Sequence, residues 1–329
     1  MISGENVFVS GADGFIGSHL CELLVSQGFH VKAGVYYNSW GSVGWLQDLD
    51  ERVRNKIEIV RFDIRDPSVL VGLLDDVSIF FNLASLISIP FSYQAPKTYF
   101  DTNTFGVLNI LELMRINSLN CRLVQMSTSE VYGSAQYVPI DEGHPLVAQS
   151  PYAASKIAAD KAVESYARSF GIDCVIGRAF NTYGPRQTAR AVIPSVISQM
   201  LTSESVEIGS LAPKRDFCFV ADTVDGLLRV ANSSMKAGEV INIGTGASYS
   251  IEEVVQLCSK ITGFNGAILS NDERIRPDAS EVNHLLCNAS RLVSVTGWKP
   301  KTDLEYGLSR TADWIKANLN YFKSSKKYN

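Results

Sequence analysis

The sequence predicts an α/β fold built on a doubly wound parallel sheet, followed by a smaller C-terminal region. Two observations carry this prediction. Apolar runs of strand length alternate with longer helical patterns over residues 1–180, and a glycine-rich turn separates the first strand from the first helix. Such alternation is typical of βαβ units, in which each helix crosses between parallel strands.

The predicted elements follow in regular order. Strands are predicted at residues 6–10, 30–36, 57–62, 79–83, 122–126 and 174–178, and helices at 14–27, 103–115 and 152–169. After Asn181 the segments are punctuated by glycine and proline, and helices are predicted at 191–201, 251–261 and 304–319. We expect one domain over 1–180, rejoined by part of 216–245, and a second region over 181–329.

Composition narrows the classes of protein to consider. The chain has 329 residues, of which 46% are hydrophobic and 19% are charged, a balance typical of folded globular proteins. The net charge of −4 gives no basic field for a phosphate backbone, so nucleic acid is not an expected partner. Six scattered cysteines show no C-x-x-C spacing and four histidines lie far apart, so no metal site is expected.

Membrane insertion is not expected either. The most apolar stretch, residues 77–91, is interrupted by Asn82, Ser85, Ser88 and Pro90 and is too short to span a bilayer. A strand is predicted almost at the first residue, which leaves no room for a signal peptide. The cytoplasm is therefore the expected location.

The first motif with chemical meaning is the turn after the first strand. Its glycines allow a tight turn and a close backbone approach, so that a pyrophosphate can bind at the N-terminus of the helix. An ordinary strand-to-helix turn is the alternative, but the flanking strand and helix favour a dinucleotide site of Rossmann type. The residues expected to bind the cofactor there are Gly11, Asp13, Gly14, Phe15, Ile16 and Gly17.

The end of the second strand bears on the choice between NAD and NADP. The segment Val35-Tyr36-Tyr37-Asn38-Ser39 contains neither an acid for the adenosine ribose nor an arginine for a 2′-phosphate. The missing base favours NAD, leaves NADP open, and makes Tyr36 and Asn38 the candidates for the ribose hydroxyls. Asp63, followed by Ile64, could accept a hydrogen bond from the adenine amino group or could instead cap a loop.

Tyr152 and Lys156 form the sharpest signal, because their i, i+4 spacing places them on one face of a helix. The lysine charge can lower the pKa of the tyrosine and make it a base near neutral pH, while the lysine also binds the nicotinamide ribose. Isolated pairs of this spacing are common on surfaces. Here the segment Ser127-Thr128-Ser129-Glu130-Val131-Tyr132-Gly133 lies upstream, directly after a predicted strand.

These motifs together resemble the extended short-chain dehydrogenase/reductase family of nucleotide-sugar epimerases and dehydratases. The resemblance rests on the glycine turn, the S-T-S-E-V-Y-G segment, Y-x-x-x-K and the segment from Arg178 to Arg186, and it spans almost the whole chain. It implies bound NAD, a nucleotide-diphosphate sugar as substrate and a backbone role for Leu83 and Ala84 beside the cofactor. It also implies a homodimer, in which the helices at 103–115 and 152–169 pair across two chains.

The residues after the fifth strand distinguish reactions within this family. Epimerases usually have small hydroxyl residues there, whereas this chain resembles 4,6-dehydratases in having Thr128, Ser129 and Glu130. Once C4 of the sugar is a ketone, a carboxylate can remove the acidic C5 proton, and an epimerase needs no such base. Many dehydratases have aspartate where Ser129 stands, so Glu130 or a water is left as the acid for the 6-hydroxyl.

The resemblance also implies residues that bind the substrate. Asn181 matches the position that holds the diphosphate through its amide, and Arg215 and Arg276 match positions that contact the ribose or phosphates. Arg190 is a further candidate, as is Arg186, although a solvated surface role fits each of these two equally. Several arginines would offset the negative net charge near an anionic ligand.

The sequence therefore predicts a 4,6-dehydratase that forms a 4-keto-6-deoxy sugar nucleotide. Residues 129–156 resemble bacterial dehydratases of nonulosonate (legionaminic acid type) pathways, which implies N-acetylglucosamine carried by GDP or UDP. A 4-epimerase would use the same Tyr152 and Lys156. UDP-glucuronate decarboxylases share T-S-E but usually have Asp-Glu-Gly where this chain has Ala153-Ala154-Ser155. A catalytically silent cofactor sensor of the same fold is the alternative outside enzymes.

Overall fold

A computed structural model describes residues 4–271 and 280–323 of the chain. The strands are β1 (Asn6–Ser10), β2 (His30–Val35), β3 (Ile57–Arg61), β4 (Ile79–Asn82), β5 (Arg122–Thr128), β6 (Cys174–Ala179), β7 (Asn181–Tyr183), β8 (Ser205–Ile208), β9 (Lys214–Phe219), β10 (Val240–Ile243), β11 (Ser248–Ser250) and β12 (Ala267–Ser270). The α-helices are α1 (Phe15–Ser26), α2 (Glu51–Arg54), α3 (Ile89–Gln94), α4 (Pro96–Tyr99), α5 (Gly106–Ile116), α6 (Pro151–Phe170), α7 (Val192–Thr202), α8 (Val220–Ala231), α9 (Ile251–Thr262), α10 (Ser290–Thr296), α11 (Leu304–Ala317) and α12 (Leu319–Lys323).

Seven strands form one parallel sheet in the order β3-β2-β1-β4-β5-β6-β10. The chain leaves β1 toward one edge and returns beside it at β4, so the strand order reverses between these two strands. In open α/β sheets such a reversal opens a crevice at the carboxyl ends of the strands, where ligands bind. The predicted Rossmann-type doubly wound sheet is confirmed.

The large sheet is buried on both faces, as a parallel sheet requires. Helices α1 and α8 cover one face, where Leu20, Leu24 and Leu227 are fully buried. Helices α5 and α6 cover the other face, and Val107, Ile110 and Leu111 pack there.

The C-terminal region has its own core and two small sheets, β11-β9-β7 and β12-β8. Helices α7, α9 and α11 pack around Val196, Val254 and Leu308. Strand β10 lies instead at the edge of the large sheet, paired with β6, and α8 packs on that sheet as well. The chain therefore returns to the first sheet after residue 181, within the interval 216–245.

An aromatic cluster joins the last helices to the first third of the chain. The ring centroid of Trp45 lies 5.3 Å from that of Trp314 and 5.0 Å from that of Tyr321. The Tyr321 hydroxyl also donates to the Asp48 carboxylate. The backbone N–H of Trp45 donates to the carbonyl oxygen of Asp13 (3.0 Å), so this cluster adjoins the glycine turn.

Two structural findings concern the membrane insertion and the metal site that the sequence did not lead us to expect. Within residues 4–271 and 280–323, no helix is both long and apolar enough to cross a bilayer. The same residues contain no cluster of His, Cys, Asp or Glu side chains arranged to hold a metal ion. All six cysteines are buried free thiols.

Candidate active site

The glycine turn forms a cradle between β1 and α1. Gly11 has a φ of +65°, and a Cβ added there would lie 3.0 Å from the backbone of Leu83 and Ala84. A Cβ on Gly17 would overlap the carbonyl oxygen of Gly11. No described side chain caps the N-terminus of α1, so its first backbone amides are left for another acceptor. Both features fit a dinucleotide pyrophosphate, which needs close backbone approach and free amides.

A buried polar chain fixes the neighbouring turn after β4. The Ser10 hydroxyl donates to Asn82 Oδ1 (2.6 Å) and accepts from the backbone N–H groups of Leu83 (3.0 Å) and Ala84 (3.1 Å). The Asn82 amide donates in turn to Gln125 on β5 (2.7 Å). Leu83 and Ala84 are thereby held against Gly11, and their expected backbone role beside the cofactor stays a prediction.

The loop after β2 is closed on itself. Asn38 exchanges side-chain hydrogen bonds with the backbone of Ser42 in both directions (2.9 and 3.0 Å). The guanidinium of Arg61, the last residue of β3, donates to the carbonyl oxygens of Ser42 (2.6 Å) and Gly41 (2.7 Å). Arg61 therefore holds the loop that flanks the expected adenosine site.

Asp63 is paired with Arg65, two residues further along the chain. Its carboxylate accepts from the backbone N–H of Arg65 (2.9 Å) and from the guanidinium at 2.6 Å. Hydrogen bonding to this guanidinium holds the pKa of Asp63 below its usual range. Arg65 also donates to the hydroxyl of Tyr36 (3.2 Å), while the side chain of Ile64 is buried against Gly106. The loop-capping role left open for Asp63 is thus present in the structure. Its contact with adenine stays a prediction.

The predicted catalytic residues meet where β5 ends and α6 begins. Thr128 is the last residue of β5, and a short 3₁₀ turn (Ser129–Tyr132) follows it. The Thr128 hydroxyl accepts from the backbone N–H of Glu130 (3.2 Å) at the start of this turn. Ser150 caps α6 by accepting from the N–H of Ala153 (3.1 Å), and Pro151 occupies its first position. This start places Tyr152 in the first turn of α6, with its hydroxyl hydrogen-bonded to Thr128.

Glu130 lies close enough to Tyr152 to act on it electrostatically. The ring of Tyr152 is only 7% exposed and packs in a small apolar cluster with Ile89 and Tyr99. Ser129 is buried in the 3₁₀ turn. The structure thus brings a phenol, a hydroxyl and a carboxylate together at the carboxyl edge of the sheet.

Lys156 lies one helical turn after Tyr152 and is 3% exposed. Its ammonium group donates to the carbonyl oxygen of Met126 on β5 (2.7 Å). Burial lowers the pKa of Lys156 to about 8, because desolvation disfavours the charged amine. An electrostatic contribution from Asp160 acts in the opposite direction.

In this structure the charge of Lys156 is not the dominant influence on the pKa of Tyr152. Burial raises the pKa of Tyr152 above its usual value, the hydrogen bond from Thr128 opposes this rise, and the nearby Glu130 adds to it. Desolvation of a phenolate outweighs the favourable contacts at this position. The lowering of the Tyr152 pKa that the Lys156 charge was expected to cause stays a prediction.

The predicted substrate residues lie in different environments. Asn181 begins β7, and its Oδ1 is buried without a hydrogen-bond partner among the described residues. Arg215 is buried and donates to Glu281 Oε1 (3.1 Å). Arg190 is exposed but acts electrostatically on Tyr99, whose ring meets that of Tyr152 edge-on at 6.2 Å. Arg186 pairs with Glu22 on α1 (3.0 Å). Arg276 lies outside the described residues.

Sequence reasoning missed several residues that shape the site: Ser10, Arg61, Arg65, Tyr99, Gln125 and Glu281. Ser10 carries a signal in hindsight, because a polar residue ends an otherwise apolar strand beside the glycine turn. Arg61 and Arg65 carry no such signal in the sequence, because they reach the loop after β2 from β3 and from the segment that follows β3. Only the pairing of β2 with β3 brings them there.

Comparison with known proteins identifies the family. The family model described as GDP-mannose 4,6 dehydratase matches residues 8–311, nearly the whole chain. The chain belongs to this family. Its members share the extended short-chain dehydrogenase/reductase architecture that the glycine turn and Y-x-x-x-K indicated.

Relatives in this family carry out different reactions at similar identity. A UDP-glucose 4-epimerase of Mycolicibacterium smegmatis is 30% identical, with 94% of this chain and 97% of the relative covered. A dTDP-glucose 4,6-dehydratase of Actinoplanes sp. is 29% identical, with 96% and 99% covered. The crystal structure of a UDP-glucuronic acid 4-epimerase from Bacillus cereus, in complex with UDP-glucuronic acid and NAD, is 27% identical, with 95% and 99% covered and a TM-score of 0.84.

Proposed function

We propose that this protein is a nucleotide-sugar 4,6-dehydratase that uses NAD and forms a 4-keto-6-deoxy sugar nucleotide. The observation that carries the proposal is the position of Glu130, whose carboxylate acts electrostatically on Tyr152 and whose backbone N–H donates to the hydroxyl of Thr128. A 4-epimerase has no step for such a base, whereas elimination across C5 and C6 requires one. Sequence identity alone does not choose between the two reactions.

Each residue of the site has a defined task in this reaction. When bound, NAD would supply the hydride acceptor for C4 and, once water has left, the hydride donor for C6, so that the cofactor ends oxidised as it began. Tyr152, hydrogen-bonded to Thr128, takes the proton of the 4-hydroxyl, and Lys156 binds the nicotinamide ribose. Glu130 removes the C5 proton, and the same carboxyl group or a water then protonates the departing 6-hydroxyl. Ser129, in the position where many dehydratases have aspartate, is buried and supplies no carboxyl group.

The substrate we propose is N-acetylglucosamine carried by GDP or UDP, because residues 129–156 resemble dehydratases that act on such nucleotides. Asn181, Arg190, Arg215 and Arg276 are the residues we expect at the diphosphate and ribose. The Oδ1 of Asn181, buried without a hydrogen-bond partner among the described residues, can accept a hydrogen bond from a ribose or sugar hydroxyl, whereas only the Nδ2 of this amide can donate to the diphosphate.

The direct test is a screen of GDP-, UDP-, dTDP- and CDP-hexoses with detection by mass spectrometry. Dehydration removes one water from the sugar, whereas epimerisation leaves its mass unchanged and decarboxylation removes carbon dioxide. We expect loss of water with an N-acetylglucosamine nucleotide. A product of unchanged mass with inverted C4 would replace the dehydratase proposal by a 4-epimerase.

NAD rather than NADP is expected as the bound cofactor. A 2′-phosphate would need an arginine fork, yet Arg61 is bonded to loop carbonyl oxygens and Arg65 to Asp63. Heat denaturation of the purified protein should therefore release mainly NAD, identified by chromatography. Release of mainly NADP would show that one of these arginines exchanges its partner for the phosphate.

A matched variant sharpens this cofactor prediction. Asp63→Asn removes the charge that holds Arg65, so it should weaken NAD binding and raise the affinity for NADP relative to NAD. Asp76→Asn is the control, because Asp76 pairs with Lys32 at a site away from the β2 loop. An unchanged NADP-to-NAD ratio in Asp63→Asn would contradict the assigned role of the Asp63–Arg65 pair.

We also propose a homodimer through α5 and α6. Phe105, just before α5, is 55% exposed, and Phe170, at the end of α6, is 52% exposed. The ring of Phe170 lies 5.0 Å from that of Tyr166, whose hydroxyl donates to Glu112 on α5. Exposed aromatic groups of this kind fit a contact with a second copy of the chain. Light scattering at micromolar concentration should give twice the chain mass of 36.1 kDa.

Paired substitutions test this surface. Phe105→Arg with Phe170→Arg should yield a monomer, because two buried unpaired charges would oppose the contact. Tyr306→Arg on α11 replaces a comparably exposed aromatic residue elsewhere and should leave the dimer intact. A wild-type monomer at the same concentration would refute the proposed dimer.

A further inference from the structure

Three charged side chains are buried together behind the reacting groups. Lys156 and Asp160 lie one turn apart on α6, and Arg178 comes from the adjacent strand β6. Asp160 is fully buried, and Arg178 is 2% exposed. The proposed reaction uses only Lys156, so the other two charges need a reason, since isolated buried charges are costly.

Arg178 fixes the ionisation state of Asp160. Its Nε donates to Asp160 Oδ2 (2.9 Å), and its Nη1 donates to the hydroxyl of Tyr132 (3.1 Å), which itself donates to Asn242 Oδ1 (2.7 Å). A guanidinium stays protonated in proteins, and a buried one requires a carboxylate partner. Burial raises the pKa of Asp160, and the contact with this permanent cation is the largest influence in the opposite direction, because it favours the ionised carboxylate.

Among residues 4–271 and 280–323, no carboxylate lies within bonding distance of the Lys156 ammonium group. Its ammonium group donates to the neutral carbonyl oxygen of Met126, and desolvation works against its charge. Of the groups facing Asp160, Arg178 on β6 and Lys156 on α6 are charged, whereas Ser127 on β5 is neutral. Asp160 lies one helical turn from Lys156 and acts on it electrostatically, which favours the ammonium form.

We propose that Asp160 is a positioning residue of the reaction, whose carboxylate keeps the buried Lys156 charged at neutral pH while Arg178 keeps that carboxylate ionised. The site thus contains two cations that share one anion. This inference rests on the proposed role of Lys156 at the cofactor ribose. It does not depend on which sugar is bound or on whether the reaction is dehydration or epimerisation.

The test is the pH dependence of NADH binding by the full chain, followed by nicotinamide fluorescence between about pH 6 and 10. In the wild type the affinity should be constant below about pH 8 and should weaken above it, as Lys156 loses its proton. In Asp160→Asn the midpoint of this loss should lie at least about 1 pH unit lower, because an opposite charge nearby is removed. The alkaline limb of kcat/KM should move in the same direction.

Tyr132→Phe is the matched control. It removes the hydrogen bonds to Arg178 and Asn242 but leaves all three charges in place. It should lower Tm without moving the pH midpoint. If Asp160 had a purely structural role, Asp160→Asn would also lower Tm without moving the pH midpoint, and NADH affinity would fall equally at every pH. That result would overturn the proposal.

A second variant covers the case in which Asp160→Asn does not fold because Arg178 is left unpaired. The double variant Asp160→Asn with Arg178→Met removes both charges, and its midpoint should also move to lower pH. A midpoint equal to that of the wild type would overturn the proposal. A wild-type affinity that does not change across this pH range would overturn the role of Lys156, and the proposal with it.

Discussion

Glu130→Gln is expected to lower turnover to the 6-deoxy product by at least about 10²-fold, the lower range of what general acid–base groups contribute. Glutamine keeps the size of the side chain but cannot accept the C5 proton. Tyr152, Thr128 and Lys156 remain in place, so oxidation at C4 should continue, visible as nicotinamide absorbance when substrate is added. The measurement is product formation in deuterated water, where only the wild type should place deuterium at C5.

The control for this substitution is Glu142→Gln. Glu142 accepts a hydrogen bond from the backbone N–H of Asn242 (2.8 Å), and the amide oxygen of glutamine can accept the same bond. This variant should dehydrate at nearly the wild-type rate. If Glu130→Gln also dehydrates at that rate, the dehydratase proposal is wrong and a 4-epimerase becomes the better description.

Tyr152→Phe is expected to stop the reaction at its first step, with turnover reduced by about 10²- to 10⁴-fold. The ring keeps its packing against Ile89 and Tyr99, so the protein should fold, but no group is left to take the 4-hydroxyl proton. Neither nicotinamide absorbance nor deuterium exchange at C5 should appear. The two variants therefore separate oxidation from elimination, since only Glu130→Gln should still reduce the cofactor.

Tyr99→Phe provides the comparison on the neighbouring ring. The Tyr99 hydroxyl donates to the carbonyl oxygen of Ser88, and its ring lies 6.2 Å from that of Tyr152. Loss of this hydroxyl should affect Tm more than turnover. Reduced cofactor formed by Tyr152→Phe at the wild-type rate would show that another group accepts the proton.

Most of the first domain could be predicted from the sequence, because its elements carry strong local patterns. The apolar run of β1 and the periodicity of α6 gave bounds within one residue of those observed. The motif residues of the site are also local: Thr128 and Glu130 lie on one turn, and Tyr152 and Lys156 on one helix. Contiguous motifs of this kind are readable without knowing the tertiary structure.

What could not be predicted depends on contacts between distant segments. The strand β10 joins the large sheet through its pairing with β6, and no local pattern shows which sheet a short apolar run enters. The raised pKa of Tyr152 depends on how deeply its helix packs, which the i, i+4 spacing does not encode. Burial of Val107, Ile110 and Leu111 likewise followed from the packing of α5 rather than from its composition.

The aromatic cluster of Trp45, Trp314 and Tyr321 has a consequence for the order of events during synthesis. The glycine turn and the segment beside it emerge early from the ribosome, whereas the residues that pack on Trp45 emerge late, since Asp48 and Tyr321 are separated by 273 in sequence number. Contacts so distant in sequence form last, after the local elements have folded. The packing beside the glycine turn is thus completed only when the final helices dock, and we expect a nascent chain to bind the dinucleotide more weakly until then.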